Sequence, residues 1–320
     1  MNRIHLKSIF FFCSLSLLFS CAEGQTNSGS KNKNSQSDGL ALPLDDENFV
    51  ALMDTKDPIL QSKLQQVIAK NAKWSELVRN KKMAVGVVDL YDLQNIKYAA
   101  INGDHMMYAA SLPKIAVLLA AMDALEKGEI EDTKELRADM RIMISKSNNQ
   151  ATTRVIDLLG FEKIAAVVQD STYEFYNKEA GGGLWVGKRY AASGKRVPEP
   201  LKGISHAASV DQVCRFYYNL AYGKLVSRER SKQMLEYMEN PEIHHKFVNT
   251  LERVAPKARL FRKSGSWTTY HADSILVWED GMRRYILVAL INDKNGEQII
   301  RQLVNPVERA LQIESHTAKR

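Results

Sequence analysis

Residues 258–293 read ARLFRKSGSWTTYHADSILVWEDGMRRYILVALIND, and this stretch decides how the rest of the chain is arranged. Within it, ARLFRKSG (258–265), ADSILVWED (272–280) and RRYILVALIN (283–292) are rich in β-branched and aromatic residues, a composition suited to strands. Asp280-Gly281, between the last two, is a two-residue hairpin signal. Two further strands are expected far upstream, MAVGVVDL (83–90) and IKYAAI (96–101), paired across the short turn YDLQN.

Between these strand groups the periodicity turns helical. PKIAVLLAAMDALEK stops at Gly128, TRVIDLLG ends at Gly160 and VDQVCRFYYNLAYG ends at Gly223, and glycine just past a helix is a stop signal. Asp57-Pro58 followed by apolar Ile59, Leu60, Leu64, Val67, Ile68, Trp74 and Leu77 predicts one capped amphipathic helix. A last helix is expected from about Glu297 to Gln312, kinked at Pro306. Strands early, helices in the middle and strands late imply an α/β (α+β) fold. One lobe is an antiparallel sheet with terminal helices built from both chain ends; an all-helical lobe is inserted between, and a site is expected where the lobes meet.

The 320 residues suffice for a large core. Basic Arg3 and Lys7 precede an apolar run from Ile9 to Phe19, too short to span a bilayer of about 30 Å, so the run reads as an export signal over 1–20. The sequence LFSC, ending at Cys21, resembles a bacterial lipobox, which implies lipidation of Cys21 and a membrane-anchored protein of the bacterial cell envelope. The polar segment TNSGSKNKNSQSDG cannot pack, so 21–41 is expected to be a tether, 42–314 the folded domain and 315–320 a tail. Of the three cysteines, Cys13 leaves with the signal and Cys21 carries lipid. Cys214 is left alone among aromatics and reads as a buried structural thiol. The net charge of +7 is spread along the chain without a basic-aromatic stripe, so no nucleic-acid partner is expected. His244 and His245 are adjacent rather than spaced on one helix face, and His206 and His271 lack HExxH-like partners. No metal and no other cofactor are expected.

Three short motifs carry chemistry. Ser111-Leu112-Pro113-Lys114 opens a strongly apolar helix, where residues three apart share a face with a rise of about 4.5 Å. A hydroxyl and an amine so placed can touch, and the free N–H groups of a helix start favour negative charge at the serine. Free lysine titrates near 10.4, so Lys114 can accept a proton only if burial or a nearby cation such as Lys263 lowers that value. Ser147-Asn148-Asn149 joins two predicted helices; as a bland feature it is a polar turn. Lys263-Ser264-Gly265-Ser266 ends a strand, where a cation beside hydroxyls suits a carboxylate, and Gly265 lets the strand lie close to substrate. The Ser111 and Ser266 N–H groups together could form an oxyanion hole.

The ordered set Ser-x-x-Lys, Ser-x-Asn, Lys-[Ser/Thr]-Gly resembles the signature of class A β-lactamases and penicillin-binding peptidases. The likeness extends from about Met83 to Gln312. It implies Ser111 as nucleophile, Lys114 as base, Ser147 as proton relay, Asn149 as holder of the acyl side chain, and Lys263, Ser264, Gly265 and Ser266 as binding residues. The substrate class implied is a β-lactam or a peptidoglycan-like amide. Class A β-lactamases also carry a water-activating glutamate within Glu-x-x-Leu-Asn, and this chain lacks that motif. Glu174, Glu179 and Glu199 are the residues on offer in the corresponding region, Glu199 the nearest in context. β-Lactam hydrolysis, a D,D-peptidase-like activity and a non-catalytic envelope binding role therefore stay open.

Overall fold

The computed structural model describes residues 42–47 and 49–313. The signal ending before Cys21, the lipidation site itself, the 21–41 tether and the 315–320 tail lie outside the described residues.

Among the described residues a 3₁₀ turn at Leu52–Thr55 precedes α1 (Pro58–Ala69) and α2 (Ala72–Arg79), which are followed by β1 (Met83–Asp89), β2 (Lys97–Ile101) and β3 (Met107–Tyr108). The single helix expected over 57–77 is thus two. Asp57 caps the first through Leu60 N, and Asn71 breaks the run, its side chain accepting from Trp74 N to start the second. The helices α3 (Lys114–Glu126), α4 (Lys134–Ser145), α5 (Asn149–Leu159) and α6 (Phe161–Gln169) come next. Then follow β4 (Tyr176–Asn177), β5 (Gly182–Gly183), β6 (Trp185–Val186) and β7 (His206–Ala208), then α7 (Val210–Ala221), α8 (Arg228–Met238) and α9 (Phe247–Val254). The chain closes with β8 (Arg259–Trp267), β9 (Tyr270–Glu279), β10 (Arg283–Asn292) and α10 (Gly296–Ala310).

The expected stop glycines Gly128, Gly160 and Gly223 all take positive φ, as does Gly281 in the β9–β10 hairpin. The inserted part is helical with one addition that the periodicity did not announce. Strands β4 to β7 are two or three residues long, too short for a period-2 pattern to register.

The main sheet has the order β2-β1-β10-β9-β8 with every pair antiparallel. Both of its faces are covered. Met83, Val85 and Val87 of β1 and Tyr285, Leu287, Ala289 and Ile291 of β10 pack with α1, α9 and α10. Ala84, Val88, Ile286, Val288 and Leu290 face the other way, into the core shared with α3 and α7. Two buried faces explain why β1 and β10 read as continuous apolar runs rather than alternating ones. Gly86 lets α7 approach: a methyl group there would lie 2.4 Å from Val210 Cγ1 and 2.8 Å from the buried Cys214 thiol. The central helix α3 is buried from Lys114 to Leu125, so a helix that is apolar all round lies in the middle of the core. Its first residue is a lysine.

Candidate active site

The turn that carries Ser111 is tightly held. Ala110 has φ 51°, uncommon for a residue with a side chain, and its carbonyl accepts the Tyr190 hydroxyl at 3.1 Å. Leu112 N donates to Ala109 O, and Lys114 N donates to Ser111 O at 3.3 Å. Ser111 therefore lies in a tight turn leading into α3, which begins at Lys114 rather than at the serine. The i to i+3 bond still keeps residues 111 and 114 on one side of the turn.

Lys114 is 0% exposed. Its Nζ donates to Ser147 O at 2.6 Å and to Asn149 Oδ1 at 2.8 Å, and lies 3.3 Å from Ser147 Oγ. The Tyr190 ring centroid is 4.5 Å away, and burial lowers the amine to about 7. An ammonium matches these three acceptors with three protons. A neutral amine satisfies the two short contacts with its two protons and keeps a lone pair for a hydroxyl.

Ser147 sits between α4 and α5 in the left-handed region, φ 55°, with its carbonyl bonded to Lys114. Asn148 caps α5 by accepting from Ala151 N at 2.8 Å. Asn149, first in the helix, spends its oxygen on Lys114, which leaves its amide protons for a ligand. Lys263 Nζ donates to Ser147 Oγ at 2.9 Å and to Ser264 O at 2.7 Å. The second cation was expected to lower Lys114. Burial alone accounts for that shift, and the repulsion falls on Lys263: burial first, then Lys114, Arg262 and Lys246, hold it well below its ordinary value. With Lys114 and Lys263 both pointing at Ser147 Oγ, the hydroxyl proton is free to donate elsewhere.

The strand end meets the Ser111 turn at Gly265. A methyl group there would lie 2.2 Å from Ala109 O, 2.6 Å from Ser111 N and 2.8 Å from Leu112 N. No side chain fits without moving that turn. Gly265→Ala is expected to lower the Ser111 acylation that the motif likeness implies at least about 100-fold, the usual cost of one misplaced oxyanion donor. Its thermal midpoint should also fall, since overpacking costs about 1–3 kcal/mol. Acylation kinetics beside a melting curve check this, and a wild-type rate would show that the contact is immaterial. The β8 end is further braced by a buried ion pair: Arg262 binds Asp273 through Nε at 2.7 Å and a second nitrogen at 3.0 Å.

The three candidate glutamates do not join this cluster. Glu199 is 1% exposed. Its Oε1 accepts Lys202 N at 2.6 Å and Ile204 N at 3.2 Å, and its Oε2 accepts Leu201 N at 2.7 Å and the Tyr176 hydroxyl at 2.9 Å. Both oxygens are saturated by the turn they close, and those donors hold the carboxyl below its usual range although burial opposes them. Glu174 is exposed and contacts Asn177, and Glu179 is exposed on the neighbouring turn. Among the described residues, no carboxylate pairs with Lys114 or Lys263.

Two residues that no motif marked complete the surroundings. Tyr190 covers Lys114 and pins the Ala110 carbonyl. His206 lies against Tyr190, ring centroids 4.3 Å apart, with Nε2 2.9 Å from Lys188 O. Burial holds His206 at about 4, so it is neutral at pH 7. Neither has a spacing signal: Tyr190 is a lone aromatic in a loop, and His206 opens a strand of three residues, too short for a period to register.

A profile of the beta-lactamase enzyme family matches residues 60–142 and 135–311. No curated protein sequence matches the chain. The beta-lactamase from Sphaerobacter thermophilus superposes with a TM-score of 0.60 at 17% identity, over 78% of this chain and 95% of that one. PBP-A does so with a TM-score of 0.58 at 19% identity, over 80% and 97%. The beta-lactamase from Chitinophaga pinensis gives 0.60 at 16% identity, over 78% and 98%. These likenesses show the fold, and the profile spans well over half of the sequence. The chain belongs to the beta-lactamase enzyme family, the β-lactamase and penicillin-binding group of hydrolases.

Proposed function

We propose that this protein is a serine hydrolase that takes β-lactams or related amides through an acyl-enzyme on Ser111. The observation that carries the reading is Lys114: a buried amine lowered to about 7, one short turn from Ser111 and bonded to Ser147 and Asn149. Lys114 Nζ takes the Ser111 proton as Oγ bonds to the carbonyl carbon. Negative charge on the carbonyl oxygen is met by the N–H groups of Ser111 and Ser266. As the C–N bond breaks, Ser147 gives its proton to the leaving nitrogen and regains one from the lysines that touch it. Asn149 offers its amide to the acyl side chain, and the strand end from Lys263 through Ser264 and Gly265 to Ser266 receives the carboxylate.

Release of the acyl group needs an activated water, and the saturated oxygens of Glu199 supply no base for it. This favours slow deacylation, the behaviour of a penicillin-binding peptidase acting on peptidoglycan stems, over rapid β-lactam hydrolysis. A PBP-A variant has been solved as an acyl-enzyme with penicillin G. The leader over 1–20, ending before Cys21, supports an envelope enzyme on a lipid anchor, within reach of such stems. The test is a time course of intact mass after mixing the folded domain with penicillin. A single adduct that outlasts free drug by hours supports the peptidase-like reading. An adduct that clears while drug is consumed makes the enzyme a β-lactamase, and the absence of both adduct and drug loss removes the serine reading.

A further inference from the structure

We propose that Lys246 is a positioning residue that makes the Ser266 hydroxyl a hydrogen-bond donor to the substrate carboxylate. The inference rests on the Ser111 acyl-enzyme reading and names which hydroxyl of β8 meets the carboxylate.

Lys246 is the residue before α9, 0% exposed and in the left-handed region with φ 56°. Its Nζ donates to Gly265 O at 2.6 Å, Ser266 Oγ at 2.8 Å and Ala272 O at 3.0 Å. Three acceptors consume the three protons of an ammonium, so Lys246 has none left for a ligand and acts through what it holds. Two of those acceptors belong to the strand end that abuts the nucleophile turn. A lysine only donates, so Ser266 Oγ is the acceptor of that bond. The Ser266 proton is then free to point outward from an exposed residue.

Ser264, two residues earlier on the same face, has the opposite polarity. It is buried, and its Oγ lies 3.4 Å from His245 Nε2, while His245 Nδ1 lies 3.5 Å from Glu297 Oε2. Burial and the charges of Arg262 and Lys246 keep His245 neutral at pH 7, at about 4. A carboxylate only accepts, so the one N–H of the neutral ring is assigned to Nδ1 facing Glu297, which leaves Nε2 to accept the Ser264 proton. Adjacent His245 and Lys246 thus turn one serine inward and the next outward. Of the two hydroxyls at this strand end, the geometry leaves that of Ser266 with the free proton for the carboxylate.

The test compares Ser111 acylation by benzylpenicillin and by its methyl ester in the wild type, Lys246→Met, Ser266→Ala and the double variant. A hydroxyl bonded to a carboxylate is a charge-assisted contact. Each single variant should lose about 10-fold or more with the free acid beyond whatever it loses with the ester. The double variant should be no slower than the slower single, because both changes remove one contact. Equal losses with acid and ester, or additive losses, overturn the proposal. Lys246→Gln, which keeps a donor in the same slot, is measured beside Lys246→Met and should fall between it and wild type in acid-over-ester selectivity. An unlabelled wild type removes the serine reading and this inference with it. A labelled wild type whose selectivity no variant alters removes this inference alone.

Discussion

Ser111→Ala is expected to abolish the penicillin adduct while leaving the fold intact. The hydroxyl is half-buried in a turn whose hydrogen bonds run through backbone atoms, from Leu112 N to Ala109 O and from Lys114 N to Ser111 O. Alanine keeps all of these, so the melting temperature should stay within about 2 °C of wild type, as for other substitutions that break no packing or hydrogen bond. Turnover should fall on the order of 10⁶-fold, as when a serine hydrolase loses its nucleophile. Intact mass after exposure to penicillin decides it. A surviving adduct of the same mass would move the nucleophile elsewhere, and a protein that keeps its cellular role without Ser111 would be a binding protein rather than an enzyme.

Lys114→Met should slow acylation by about 10²- to 10⁴-fold, the range for a lost general base. The pH profile separates this role from a structural one. The wild-type amine titrates at about 7, and only its neutral form can take the Ser111 proton. Acylation should therefore rise with pH through about 7 and fall roughly ten-fold per unit below it. Met removes the titrating group, so the inflection should vanish; its persistence would assign the base to another residue. Stability should respond with a matching sign. The folded value lies below the ordinary 10.5, so the unfolded chain binds more protons between about 7 and 10.5, and the contribution of Lys114 to stability rises with pH across that window. In Lys114→Met that rise disappears. Ser147 O and Asn149 Oδ1 lose a donor, which costs about 1–3 kcal/mol per buried group and is offset in part because no amine is buried.

The elements that read clearly were those whose signal is local. The β9–β10 hairpin turns at Asp280-Gly281 as expected, although its loop takes three residues, 280–282, rather than the two expected, with Arg283 opposite Glu279, and the ends of three helices follow from glycines at positive φ. The break at Asn71 was hidden because the apolar spacing continues across it from Ile68 to Trp74, and only the capping bond shows where the axis turns. Strands β4 to β7 were hidden because each is only two or three residues long, and for β7 also because its partners are distant in sequence, as when Tyr108 of β3 pairs with Ala207. Glu199 was the nearest candidate by context, yet its oxygens are consumed by its own turn, a fact of hydrogen-bond geometry that residue type does not carry.

By itself the sequence determined the order of the three motifs, the periods of the main helices and strands, and hence a sheet built from both chain ends around a helical insert. These are properties of neighbours along the chain, governed by backbone torsions and by 2- and 3.6-residue repeats. Only the tertiary structure decided that Lys114 lies in the core, that Tyr190 covers it, that Lys246 braces Ser266 and that Glu199 is spent on a turn. Burial and the choice of hydrogen-bond partner depend on groups brought together from far along the chain, 33 residues for Lys114 with Ser147 and 116 for Lys263 with Ser147. The charge state of a lysine follows from that assembly rather than from its place in a motif.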